Sequence, residues 1–110
     1  MEKPVKGDIV IIPFPFSDLS ETRKRPAFVA ASLKGNDIIL CQITSKNVND
    51  SYSLKVLQSE FKEGTLHQES NIRPNKIFTA DKSIVLYKAG SLKQEKTKTI
   101  IEKICEILGN

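Results

Sequence analysis

A run of three cations, Arg23, Lys24 and Arg25, leads directly into an apolar segment. Arginine offers a planar fork of N–H donors that suits phosphate oxygens, so adjacent cations at the start of a strand can hold a phosphate group. The alternative is a solvated loop whose charges serve solubility, which is the commoner role of a charge run. The run is therefore compatible with a polyanionic partner without requiring one.

Two further places in the chain carry phosphate-binding chemistry. Thr44 and Ser45 close an apolar run, and hydroxyls at a strand end can donate to a phosphate, although they also begin turns routinely. Arg73 lies inside an extended run, and alternation would place it on one face with Asn71 and Asn75. An arginine between two amides is unusual for a plain sheet surface, but on spacing alone an exposed sheet arginine explains it equally well.

Other catalytic chemistry is sparse in this sequence. His67 is the only histidine, the residue type most often used as a general acid or base, but its polar neighbours favour a solvated, non-catalytic side chain. Cys41 and Cys105 lack zinc-type spacing, and we interpret them as small, buried, reduced residues. A Gly-rich phosphate loop, a nucleophile elbow and a metal triad are all missing. We therefore predict no metal and no cofactor.

The elements that must position these residues are short strands separated by polar loops. Pro13, near the end of the first segment, indicates a strand at a sheet edge or one that ends there. Residues 15–25 are predicted to form a long loop, and the KGND tetrapeptide at 34–37 is a hairpin turn signal. The predicted strands cover residues 7–14, 26–32, 37–44, 52–57 and 70–78, with polar loops at 45–51 and around 62–64.

The C-terminal segment has the pattern of a helix. Ser91 and Gln94 have the spacing of a capping box, and Gly109 stands where a helix would stop. Between them, apolar residues recur at helical spacing: Leu92, Ile100, Ile101, Ile104, Cys105 and Leu108. Five or more short strands with one amphipathic helix packed across them predict a mainly β fold of the α+β kind, a small barrel.

Length and composition fit one globular domain, predicted to cover residues 1–110. The hydrophobic content of 39% is adequate for a core, and no run approaches the roughly 18 apolar residues that span a bilayer. The N-terminus has no apolar segment of a secretory signal, so we expect a cytoplasmic protein. The net charge of +4 is mild and spread out, unlike the dense basic arm of a dedicated DNA-binding protein.

Four segments, taken in order, resemble landmarks of the PemK/MazF-like toxins. The N-terminal KGDIVIIPFPFSDL resembles the family's first strand, and RKRPAFVA resembles the Arg-Pro start of its second strand. The segment ITS at 43–45 resembles its strand-end Thr-Ser, and SNIRPNKIFTADK at 70–82 resembles its late arginine strand. Each motif alone is weak, but their order and spacing are fairly specific and cover nearly the whole chain.

The resemblance implies a toxin of a toxin–antitoxin pair, a homodimer with an SH3-like barrel. Such toxins cleave single-stranded RNA, here mRNA, at short sequences without metal, and a cognate antitoxin protein inhibits them. Carried over to this sequence, the catalytic candidates are Arg25, Thr44 and Arg73. The candidate substrate contacts are Arg23, Lys24, Ser45, Asn75, Ser17 and Asp18.

The proton acceptor is where this sequence departs from the family pattern. Some members carry an aspartate two residues after the late arginine, where it can serve as a base, but this chain has Asn75 there. An amide cannot accept that proton at neutral pH. Three alternatives stay open: His67 or Asp18 serves instead, catalysis rests mainly on charge stabilisation, or this copy is weakened or inactive.

Two functions without RNA cleavage also stay open at this level. A related barrel fold supports toxins that bind DNA gyrase, and an RNA-binding regulator would need no base. The three catalytic candidates favour the ribonuclease over the gyrase-binding protein, because binding gyrase requires no phosphate cluster. The presence of Asn75 is the one feature that favours binding of RNA without cleavage.

Overall fold

The computed structural model describes residues 3–14 and 23–110 of the chain. These residues form seven strands followed by one helix, which confirms the predicted mainly β fold with a C-terminal helix. The elements are β1 Asp8–Phe14, β2 Arg23–Ser32, β3 Asp37–Thr44, β4 Leu54–Val56, β5 Phe61–Gly64, β6 Ser70–Asp81, β7 Tyr87–Leu92 and α1 Gln94–Gly109.

The strands form one antiparallel sheet in the order β4-β6-β3-β2-β1-β7-β5, which curls into a half-barrel. The predicted hairpin between β2 and β3 is confirmed. Its turn contains Gly35 at a φ of +77°, and the Leu33 N–H donates to the Asp37 carbonyl at 3.0 Å. The sheet thus brings β2, β3 and β6 side by side, although β6 lies far along the chain.

The core has two parts because the interior strand β1 is covered on both faces. Ile9 belongs to an apolar cluster that includes Phe28 of β2 and Ile100 of α1. Its neighbour Val10 belongs to a second cluster, with Leu40 of β3. A strand buried on both faces has no need of polar alternation, and this explains the continuous apolar run of β1.

Helix α1 joins the two edge strands of the curled sheet. Ile100 and Ile104 are buried against the core. Lys96, whose side chain is only 12% exposed, donates to the Lys55 carbonyl of β4 at 2.7 Å and pairs with Glu60, just before β5, at 3.2 Å. The ammonium group of Lys96 therefore binds a backbone carbonyl at one edge of the sheet and a carboxylate near the other edge.

Four boundary predictions at the strands are wrong, and tertiary pairing explains each. Residues 23–25 begin β2 instead of ending a loop, because they pair with residues 12–14 of β1. Residues 62–64 lie in the edge strand β5, paired with β7, which the sequence analysis did not predict. The strand predicted at 52–57 shortens to Leu54–Val56, and β6 continues past residue 78 to Asp81.

Predictions at the helix and the cysteines also need correction. Ser91 lies in β7 and donates to Glu63 at 3.3 Å, so it does not cap the helix. The N-cap is Lys93, which makes no side-chain capping bond. Cys41 is buried as expected, but Cys105 is exposed, as is Leu108, because α1 buries a narrower stripe than the apolar pattern suggests.

Candidate phosphate-binding site

Strand register places the three catalytic candidates on one face of the sheet. Gln42 of β3 pairs with Ala27 of β2 on one side and with Arg73 of β6 on the other. Arg25 lies two residues before Ala27, and Thr44 lies two residues after Gln42, so alternation gives all of them the same face. Three residues that are far apart in the sequence therefore converge across adjacent strands.

Arg25, Thr44 and Arg73 line one open cavity of about 170 Å³, here called the arginine cavity. Lys46 lines the same cavity and adds a third cation. Its apolar wall includes Ile12 and Phe78, along with other strand residues. The cavity thus combines forked cationic donors and a hydroxyl with a partly apolar surface, a mixture that suits a nucleotide phosphate and its neighbouring sugar or base.

The two arginines retain unpaired donors. The Nε atoms of Arg25 and Arg73 are both buried, and neither has a hydrogen-bond partner among residues 3–14 and 23–110. Buried polar groups are nearly always paired, so an unpaired buried N–H calls for an explanation such as a ligand. An anion that accepts hydrogen bonds from both guanidinium groups would provide one.

Thr44 is held at the end of β3 by the turn that follows it. Its Oγ1 accepts a hydrogen bond from the Lys46 N–H at 3.1 Å, so the hydroxyl proton remains available to a phosphate. The Asn71 side chain donates to the Lys46 carbonyl at 3.2 Å and ties the same turn to β6. The predicted hydroxyl donor is therefore anchored from two neighbouring strands.

A second cavity of about 320 Å³ adjoins the arginine cavity and is here called the adjoining cavity. Arg25 lines both of them. The predicted substrate contacts Arg23, Lys24 and Ser45 line the adjoining cavity, together with the exposed His67. Cationic side chains therefore line both cavities, and Arg25 lies between them.

The structure does not bring every predicted contact into these cavities. Cys41 pairs with Ile77 whereas Gln42 pairs with Arg73, so residues 74–76 form a bulge in β6. Asn75 is exposed on this bulge and lines neither cavity. Ser17 and Asp18 lie outside the described residues. The expected alternation holds nearby, since Arg73 is partly exposed while the flanking residues 72 and 74 are buried.

Sequence reasoning missed one carboxylate at the site. Asp50, in the loop between β3 and β4, lies 3.3 Å from Arg73. Hydrogen bonds from the backbone N–H groups of Ser53 and Tyr52, with a smaller contribution from Arg73, hold the pKa of Asp50 below its ordinary value. No sequence signal pointed to this contact, because 23 residues separate the partners and the loop path decides it.

Comparison with known proteins identifies the class. The model of the PemK-like, MazF-like toxins of type II toxin–antitoxin systems matches residues 5–108, and the chain belongs to this family. No curated protein sequence matches the chain.

Solved structures share the fold at low sequence identity. The crystal structure of MazE–MazF (form III) from Deinococcus radiodurans superposes with a TM-score of 0.78 at 16% identity, covering 98% of each chain. An endoribonuclease in complex with its cognate antitoxin, from Mycobacterial species, gives a TM-score of 0.73 at 13% identity, covering 96% of this chain and 95% of the other. At such identities the likeness shows the fold.

Residues 3–14 and 23–110 lack two other features. None of the helices there is long and apolar enough to cross a membrane. Within the same residues, no group of three or more histidine, cysteine, aspartate or glutamate side chains is placed to hold a metal ion. The prediction of a reaction without metal stays a prediction.

Proposed function

We propose that this toxin is a metal-independent endoribonuclease that cuts single-stranded mRNA at particular short sequences. The observation that carries the proposal is the arginine cavity, which Thr44 lines together with two arginines whose buried Nε donors have no partner among the described residues. Membership of the PemK/MazF-like toxin family supports it, as does the fold shared with proteins described as endoribonucleases.

The chemistry follows from what the cavity offers. The substrate's own 2′-hydroxyl attacks the adjacent phosphorus, and the bond to the 5′-oxygen of the next nucleotide breaks. The products are a 2′,3′-cyclic phosphate and a free 5′-hydroxyl, and DNA is not cut because it lacks the attacking group. No nucleophile from the protein is required, so the side chains of the cavity serve only to stabilise the developing charge and to position the substrate.

Arg25, Arg73 and Thr44 supply donors for the charge that grows on the phosphorane oxygens. Donors fixed in place before reaction cost no reorganisation at the transition state, and losing one typically costs ~2.7–4 kcal/mol of barrier, about 100- to 1000-fold in rate. Asn75 cannot be the base and lies outside both cavities. His67 in the adjoining cavity is the described side chain with the chemistry to accept the proton.

The remaining elements of the proposal concern partners. A cognate antitoxin would inhibit the enzyme by laying an acidic segment over the basic surface that runs from Arg73 past Arg25 to Arg23. Solved structures with the same fold include MazE–MazF from Deinococcus radiodurans, which supports an antitoxin partner. We further propose that the whole chain acts as one domain, as a homodimer, in the cytoplasm where mRNA is found.

The test is incubation of wild-type protein, Arg25→Ala and Arg73→Ala with a long single-stranded RNA in excess EDTA, with product ends mapped. Lys82→Ala is the matched control, because it removes a cation from the 3₁₀ turn after β6, at the far end of that strand from Arg73. We expect discrete cuts bearing cyclic phosphate from the wild-type protein and the control only. Normal cleavage by both arginine variants would exclude this site.

RNA binding without cleavage is the second candidate, because Asn75 replaces an acidic base. It predicts intact RNA in the same assay, retained by the protein at low salt and released as the salt concentration rises. Inhibition of gyrase without either RNA cleavage or RNA binding would instead support the gyrase-binding alternative.

A further inference from the structure

The loop between β3 and β4 folds back onto the site through Asp50. The two carboxylate oxygens of Asp50 have separate partners. Oδ1 accepts hydrogen bonds from the backbone N–H groups of Tyr52 at 3.0 Å and Ser53 at 2.9 Å. Oδ2 accepts from Nη2 of Arg73 at 3.3 Å. The first set fixes the carboxylate within its own loop, and the second directs it at an arginine of the cavity.

The Asp50–Arg73 pair is placed to orient a side chain more than to stabilise the fold. The two side chains are 26% and 25% exposed, and partly solvated ion pairs contribute little to stability. Arginine is long and samples many rotamers, so a carboxylate on one Nη restricts the plane of the guanidinium. Nε of Arg73 stays without a partner in the described part of the chain.

The two arginines of the cavity differ in whether a carboxylate holds the guanidinium group. Within residues 3–14 and 23–110, Arg25 has no carboxylate partner, whereas Arg73 has Asp50. Both line the cavity that Thr44 also lines. A group that must meet a phosphate at a defined angle gains most from being held in advance, because a misplacement of about 1 Å can cost about 100-fold in rate.

We infer that Asp50 is a positioning residue for RNA cleavage, which holds the guanidinium of Arg73 so that its remaining donors face the scissile phosphate. The inference rests on the proposed function. Asp50 is not the proton acceptor, because the hydrogen bonds from Ser53, Tyr52 and Arg73 keep its pKa low and make it a weak base. Its part is to orient a charge that stabilises the transition state.

The variant Asp50→Asn separates the two functions of this carboxylate. The amide oxygen can still accept from the N–H groups of Tyr52 and Ser53, while the NH₂ group cannot accept from Arg73. Asp81→Asn is the matched control, because Oδ1 of Asp81 accepts from the Ser83 N–H at 2.8 Å in a similar turn. Asp81 lines neither cavity.

The experiment measures kcat and KM for wild type and both variants on a single-site RNA, together with their melting temperatures. We expect Asp50→Asn to lower kcat about 10- to 100-fold, with KM unchanged or lower because a negative charge near the RNA is gone. Asp81→Asn should match wild type, and all three proteins should melt alike. An unchanged kcat, or a change in KM alone, would overturn the positioning role.

The pH profile separates positioning from proton transfer. A positioning role predicts a constant ratio of wild-type to Asp50→Asn kcat between about pH 5 and 8, since wild-type Asp50 is ionised throughout this range. A ratio that shrinks as pH rises, because hydroxide replaces a missing base, would overturn positioning in favour of base catalysis. If the wild-type protein does not cleave RNA, the proposed function itself is wrong. If wild type and Asp50→Asn cleave RNA equally, only the positioning role of Asp50 is rejected.

Discussion

Two groups of charged side chains in this protein differ in whether the fold already provides their partners. At the β5–β7 end, the Lys88 cluster consists of Lys88, Asp8, Glu63 and Ser91. Lys88 lies 2.8 Å from Glu63 and 3.5 Å from Asp8, and Ser91 donates to Glu63. Among the described residues of the arginine cavity, by contrast, cations outnumber carboxylates and two Nε donors are unpaired.

The difference indicates which charges serve the fold and which serve a ligand. The Lys88 cluster satisfies itself, so removing a member leaves a partner uncompensated and should lower stability. In the arginine cavity two Nε donors have no partner among residues 3–14 and 23–110, so removing one of these arginines should reduce the proposed ligand chemistry and leave the fold intact. Surface charge alone would not distinguish them, because both groups lie on the same small sheet.

Substituting one cation from each group gives the largest expected effect. Arg25→Ala should lose about 100- to 1000-fold in cleavage rate with little change in melting temperature, because its Nε has no partner to lose in the described part of the chain. Lys88→Met should cleave normally but unfold more easily by about 1 kcal/mol, a small value because solvent screens this half-exposed side chain. Cleavage kinetics and urea unfolding of both variants test this prediction. Slow cleavage by Lys88→Met together with lower stability of Arg25→Ala would contradict the distinction between the two groups.

Backbone packing at the β5–β7 end gives the next effect. Gly64 has a φ of +75°, and a Cβ built there would lie 2.2 Å from the Ala89 carbonyl oxygen. We expect Gly64→Ala to destabilise the fold by about 3 kcal/mol, through overpacking and the unfavourable φ together.

Gly35→Ala is the control for the backbone conformation alone. Gly35 has nearly the same φ, +77°, but nothing lies within 4 Å of the added Cβ. It should lose only about 1 kcal/mol. Equal losses for the two variants in urea unfolding would show that the β5–β7 contact is looser than the structure indicates.

A smaller effect is expected from pH. Lys88 and Ser91 hold the pKa of Glu63 below its ordinary value of 4.5. A lowered carboxyl pKa stabilises the folded state above the unfolded-state pKa, and that stability is lost as pH falls through the folded pKa. The free energy of unfolding should therefore decline below about pH 4.5, and less steeply in Lys88→Met. Urea unfolding at a series of pH values measures this; parallel declines would contradict the pairing.

The two thiols provide the least disruptive test of burial. Burial raises the pKa of Cys41 to about 12, so at pH 8 this thiol should stay protonated and unreactive as long as the core around it is closed. Cys105 is exposed on α1. A chromogenic disulfide reagent should titrate one thiol in the native protein and two in denaturant. Two rapidly reacting thiols in the native state would show that the core around Cys41 opens.

The sequence predicted the elements that form locally. The apolar runs of β1 and β3, the hairpin turn at Gly35 and the helix ending at Gly109 depend on residue type and spacing within a few positions. It failed at β5 and β7, whose polar and glycine-containing segments become strands only by pairing with each other and with β1. The capping box at Ser91 failed for the same reason, since β7 takes that residue into the sheet.

The candidate site shows the same division between what the sequence predicts and what the tertiary structure decides. Residue types alone left Arg25, Thr44 and Arg73 as phosphate-binding candidates beside commoner structural roles, and the family resemblance carried by motif order selected them. Only the tertiary structure decided that they share one cavity, that Asn75 is turned out on a bulge, and that Asp50 reaches Arg73. Residue type fixes which donors and charges are available, whereas non-local strand register and loop path fix which of them meet.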